Sequence, residues 1–75
     1  MSDIEWIDVS DSERIVAMAY DNENEAILVR FTKDEVEWCY ESCPPHVWEE
    51  FSAPSQSKGR YIHQVLNDKP NHRYE

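Results

Sequence analysis

Three short runs in the first half of the chain carry strand character. Arg14-Ile15-Val16-Ala17-Met18-Ala19-Tyr20 has the β-branched and aromatic content of a strand, and the polar run Asp21-Asn22-Glu23-Asn24-Glu25 ends it. In Ala26-Ile27-Leu28-Val29-Arg30-Phe31 the residues Ile27, Val29 and Phe31 share one face at period two, opposite Ala26, Leu28 and Arg30. Thr32-Lys33-Asp34 is short enough for a hairpin connection. Beyond it Val36, Trp38 and Tyr40 fall on one face of a third strand, with Glu35, Glu37, Cys39 and Glu41 on the other, where the glutamates are exposed and the thiol partly buried.

The second half reads as helical. Pro44-Pro45 stops the third strand and starts a helix, because the first helical turn loses nothing by lacking an N–H donor. Val47, Trp48 and Phe51 form its apolar stripe, and Ala53-Pro54-Ser55-Gln56-Ser57 breaks it. Ser57 then caps a second helix with a stripe of Tyr61, Ile62, Val65 and Leu66, ending near Asn67 and Pro70. The expected fold is α+β, a three-stranded antiparallel meander covered on one face by two C-terminal helices. Residues 1–11, with Ile4-Glu5-Trp6-Ile7-Asp8-Val9 at their centre, form either an edge strand or an arm. Residues 12–75 form the single domain.

At 75 residues the chain supports one core, since a domain of this size buries only about 60% of its unfolded surface. A hydrophobic share of 40% separates it from chains that stay disordered by composition. No apolar run approaches the ~20 residues that span a bilayer, and Met1 to Glu5 carry acid where a signal peptide carries base. The expected location is cytoplasmic, with no membrane partner. On one strand Cys39 and Cys43 would stand roughly 13 Å apart, too far for a disulfide, and both thiols are expected free.

The formal net charge is −9 and is unevenly placed. Residues 1–51 hold three Lys/Arg against fourteen Asp/Glu, whereas residues 52–75 hold four against two, with His63 and His72 able to add positive charge at lower pH. The chain therefore has an acidic body and a mildly basic tail.

Placed on these elements, several residues resemble the KTSC domain family. Ser12, Ile15, Met18 and Tyr20-Asp21 fit its first strand, and Leu28 or Val29 with Phe31 its second. Trp38-Cys39-Tyr40 stands where the family has a Tyr-x-Tyr pair, and Cys43-Pro44 where it usually has Val-Pro. Ser57-Lys58-Gly59-Arg60-Tyr61 resembles the family's Ser-x-Gly-x-Tyr turn into the last helix. The resemblance covers roughly residues 12–74. It departs at Ala19, where glycine is usual, and at Lys33-Asp34-Glu35, where the family commonly has a glycine before the third strand. The family is named for the C-terminus of some lysyl-tRNA synthetases and also occurs free-standing. That association implies RNA as a candidate partner.

Candidate chemistry is concentrated near the chain's single glycine. Gly59 marks a position that needs an unusual backbone conformation or a close approach. The Ser57-Lys58-Gly59-Arg60 turn offers helix N–H groups beside two cations, a combination suited to an anion, against the plainer reading of a capped turn. The hypothetical binding residues are Ser57, Lys58, Gly59, Arg60, Tyr61, Lys69, His72 and Arg73. Trp38 and Tyr40, although of a type that stacks on bases, are expected in the core.

Cys39, Cys43 and His46 match no familiar zinc spacing. No nucleophile–base pairing can be assigned, so no catalytic residue, metal or cofactor is expected. The favoured function is a non-enzymatic module acting through protein–protein interaction with a partner of complementary charge. The alternative is an RNA-binding accessory module using the Ser57–Tyr61 turn and the basic tail, against which the acidic body repels phosphate.

Overall fold

A computed structural model describes residues 4–74. Residues 1–3 of the expected arm and the last position of the expected domain lie outside them. The described chain forms one antiparallel sheet with two helices packed on one side of it. The strands are β1 (Ile7–Asp8), β2 (Ile15–Asp21), β3 (Ala26–Phe31), β4 (Glu37–Tyr40) and β5 (Asn71–Arg73), adjacent in that order. Helices α1 (Pro45–Ser52) and α2 (Lys58–Gln64) and a 3₁₀ turn, Leu66–Asp68, connect β4 to β5.

The α+β class and the two helices agree with the sequence, but the sheet has five strands and not three. The added strands have no apolar alternation to announce them. Both residues of β1 and all three of β5 are exposed. They are strands because backbone groups of β2 and β4 need partners. Ile7 lies opposite Met18, and the Val9 amide donates to Val16 O at 2.9 Å. On the other edge Tyr40 lies opposite Asn71, and the Tyr74 amide donates to Glu37 O at 2.9 Å. The helices are consequently not C-terminal, since the chain returns to the sheet after them.

Ile15 and Met18 are an odd number of residues apart and would face opposite ways on a regular strand. A bulge between Ile15 and Ala17 restores the parity, so both join the helix-side core. That core unites Ile15, Met18, Ile27, Val29 and Tyr40 of the sheet with Cys43, Val47, Phe51, Tyr61, Ile62 and Leu66. Tyr20 stacks on Trp48 with ring centroids 5.5 Å apart and donates its hydroxyl to Cys43 O at 2.7 Å. Strand β2 is thereby fixed to the start of α1.

The reverse face of the sheet is also closed. Ala19, Ala26, Leu28 and Cys39 are buried there beneath Ile4, Trp6 and Tyr74. Cys39, which shares a strand face with Glu37 and Glu41, is 6% exposed. Trp6 crosses this face with the Arg30 guanidinium 4.6 Å from its ring centroid, and Arg30 in turn pairs with Glu37 at 2.8 Å. Ile4 and Trp6 therefore act as a covering arm, and Ile7–Asp8 as an edge strand. The two thiols are free and buried on opposite faces. Among the described residues no helix is long and apolar enough to cross a membrane.

Candidate functional site

The residues singled out in the sequence separate into two places. Ser57 caps α2, its Oγ accepting from the Arg60 amide at 3.4 Å. Lys58 does not face solvent. It is 6% exposed, and its ammonium donates to Ala53 O at 2.9 Å and to Gln56 O at 3.4 Å, beside the Phe51 ring. Ala53 is the C-cap of α1, so Lys58 satisfies a helix-end carbonyl at the negative pole of that helix. Burial pulls its pKa down, with the nearby Asp11 charge opposing.

Tyr61 is buried as well, its hydroxyl donating to Glu50 Oε1 at 2.7 Å. Arg60 remains exposed. The pocket beside this turn is lined by Asp11 and Glu13 as well as by Arg14 and Lys58, so its acids offset its cations. The turn thus presents one exposed cation and a short helix whose third amide is already capped.

The C-terminal group lies against β4. Lys69 donates to Ser42 O at 2.9 Å, holding a residue with φ of 59°. His72 places Nδ1 3.1 Å from Glu41 Oε2 in an exposed pair that is ionic when the imidazole is protonated. Arg73 is exposed, its backbone opposite Trp38. The basic tail is therefore an edge strand with two of its polar side chains already engaged.

A third place was not legible as a site. Helices of eight and seven residues extend about 12 and 10 Å, whereas strands of six and seven residues extend about 20–23 Å. The helix layer cannot cover the whole sheet face. The part left open is a groove of ≈ 590 Å³ over Phe31, Trp38 and Tyr40, with Val36 beside them. Asn67 and Asn71 form one rim, and Arg14, Lys33 and Asp34 the other.

Each wall is held for an identifiable reason. The Trp38 indole N–H donates to Asn71 Oδ1 at 2.9 Å, while the Asn71 amide donates to Lys69 O at 2.8 Å. This fixes the ring plane against the last strand. Tyr40 is buried, and only Trp38 and Phe31 of the floor remain half-buried. The core expectation thus holds for Tyr40, whereas Trp38 packs on the core's margin and faces the groove.

Lys33 and Asp34 are carried by the β3–β4 loop, which closes with the Phe31 amide donating to Val36 O at 2.8 Å. Asp34 and Glu35 there take φ of 61° and 53°. Arg14 is anchored by its backbone, its amide donating to Ser12 Oγ at 3.2 Å and its carbonyl accepting from Thr32 at 2.9 Å.

Gly59 has no positive φ, so conformational freedom does not explain it. A Cβ there would stand 3.2 Å from Arg14 Cδ and 3.8 Å from Arg14 Cβ. The close approach anticipated at this glycine is the passage of the Arg14 stem. Among the described residues no group of three or more His, Cys, Asp or Glu side chains is placed to hold a metal ion.

A five-stranded antiparallel meander with two short helices inserted before the last strand defines a small α+β domain with one open sheet-end groove. The sequence matches the KTSC domain over residues 11–69, and the chain belongs to that family. Its structure is similar to the crystal structure of a KTSC domain protein from Yersinia pestis, with a TM-score of 0.82 and 25% sequence identity over 97% of this chain and 100% of that one. No curated protein matches it significantly.

Proposed function

We propose that this chain is a non-enzymatic binding module that acts through protein–protein interaction, with the Phe31–Trp38–Tyr40 groove as its contact surface. The observation that carries the reading is Trp38. It is a large ring held in one orientation by Asn71, yet half-buried at the floor of an open groove. Rigid Trp, Tyr and Arg side chains in desolvated pockets supply most of the energy at protein interfaces, because they offer large contact area at little entropy cost.

The charge distribution supports a protein over a nucleic acid. Of the cations first expected to meet RNA, Lys58 is buried, Lys69 is bonded to Ser42 and His72 faces Glu41, which leaves Arg60 and Arg73. Even with Arg14 and Lys33 at the groove rim added, these few exposed cations allow few counterion-releasing contacts against a net charge of −9. The RNA-binding alternative draws on the synthetase association that the family resemblance implies, and on the capacity of Trp38 to stack on a base.

The test is affinity capture from native cells with the wild type and with Asn67→Tyr, a substitution at an exposed rim position that fills the groove and removes no core side chain. One half of each sample is treated with nuclease. Proteins captured by the wild type, lost with Asn67→Tyr and indifferent to nuclease support the reading. Capture that disappears with nuclease supports RNA, and a profile unchanged by Asn67→Tyr removes the groove.

A further inference from the structure

The groove has a polarity that narrows what can occupy it. Its floor is aromatic, while one rim carries Arg14 and Lys33 against the single acid Asp34. Among the described residues neither cation takes part in an ion pair, the two pairs being Arg30–Glu37 and His72–Glu41. Arg14 is fixed at its backbone by Ser12 and Thr32, and its stem runs through the space that Gly59 leaves open. Its charge is felt at Tyr40, where it opposes the upward push of burial on the phenol. Arg14 is exposed and lines both this groove and the pocket beside the Ser57–Gly59 turn, with its charge near enough to act on Tyr40 at the groove floor.

We infer that the groove selects an extended protein segment presenting an aromatic or aliphatic side chain next to one carboxylate. The apolar side chain lies on Trp38 and Phe31, and the carboxylate meets the Arg14 guanidinium. This rests on the proposed reading of the groove and specifies its occupant. A planar guanidinium presents parallel N–H donors that match a carboxylate's two oxygens, a match that lysine cannot make.

Asp34 beside Lys33 repels a second acid, so the segment carries one carboxylate and not a run of them. At longer range the net charge of −9 favours a partner whose surface is basic overall, which sets the carboxylate as a local feature beside the apolar anchor. The volume of ≈ 590 Å³ is within the range of sites that enclose a large side chain with its flanking backbone.

The inference also gives the motif around Gly59 a role. Its glycine positions Arg14, and the anion-binding group is on the neighbouring segment and not on the turn itself. Gly59→Ala should leave the fold intact, because Arg14 Cδ, 3.2 Å from the added Cβ, belongs to an exposed side chain that can yield a few tenths of an ångström, and alanine is the better helix former. It should displace the guanidinium and weaken binding of acid-bearing segments.

The experiment pans a random-peptide library on the intact protein, then measures the enriched peptides against Arg14→Gln, Gly59→Ala, Asn67→Tyr and the exposed control Arg60→Gln. Peptides carrying an apolar residue close to one Asp or Glu are expected. Arg14→Gln should weaken them about tenfold, the size of one charge-assisted hydrogen bond, and Arg60→Gln should not. Replacing the peptide's acid by its amide should cost the same factor with wild type and nothing further with Arg14→Gln.

Enriched peptides without an acid, or acid-bearing peptides indifferent to Arg14→Gln, overturn the inference. The groove reading survives that result so long as Asn67→Tyr abolishes binding. Enrichment of nothing, or binding that Asn67→Tyr leaves intact, overturns both. Displacement of the peptide by a single-stranded oligonucleotide at the same residues would transfer the groove to RNA.

Discussion

Tyr61 of α2 donates its hydroxyl to Glu50 of α1 across 2.7 Å, and this bond ties together two helices that are each too short to be stable alone. Burial raises the Tyr61 pKa first, and the Glu50 bond and charge raise it further. Burial likewise raises Tyr20, Tyr40, Cys39 and Cys43. A group whose pKa is higher folded than unfolded contributes stability that is complete below its unfolded pKa and is lost as pH rises through the folded value. The melting temperature should therefore be flat through neutrality as far as these groups are concerned. It should fall above about pH 8.5–10, where unfolded Cys and Tyr titrate. Tyr61→Phe should lower stability by about 1 kcal/mol at pH 7 and make the alkaline decline shallower, as read from thermal melts across pH.

Neighbouring cations on α2 should behave oppositely. Lys58→Ala removes the donor to the Ala53 carbonyl at the end of α1 and to that of Gln56 in the following loop, exposes part of the Phe51 ring, and should cost about 2 kcal/mol. Arg60→Ala should stay within about 0.5 kcal/mol, as exposed charges do. Urea titrations of the two variants check the contrast. Equal effects would mean that the Lys58 ammonium is solvated like its neighbour's.

Asp34 and Glu35 occupy the left-handed region of backbone conformation, which favours glycine. A side chain there is strained by about 1 kcal/mol or more, partly offset by the greater unfolded-state freedom of glycine. Glu35→Gly should raise the denaturation midpoint by an amount worth about 0.5 kcal/mol. The same change at exposed Glu49, inside α1, should lower it by about 1 kcal/mol.

The parts of the fold readable in the sequence are those where one residue's face depends on its neighbours alone. The alternation of Ile27, Val29 and Phe31 and the Pro44-Pro45 helix start are of this kind. β5 was not readable, because Asn71-His72-Arg73 is a strand only through pairing with β4. The burial of Cys39 follows from the composition of the neighbouring strand. Ala26-Ile27-Leu28-Val29 is apolar on both sides, the pattern of a strand covered on both faces. For Trp38 the face was legible but the exposure was not, since exposure depends on where two short helices stop. Arg14 carried no signal at all until the approach to Gly59 connected it with the motif that was most visible.

The central claim is that partners meet the groove, and site-specific photo-crosslinking inside native cells tests it most directly. A photoreactive residue replaces Asn67 at the groove rim in one variant and exposed Glu23, in the β2–β3 loop, in another. Discrete protein adducts from position 67, reduced when Arg14→Gln is added and lacking from position 23, are the predicted result. Adducts from position 23 with none from 67, or adducts from 67 that consist of RNA, would contradict it.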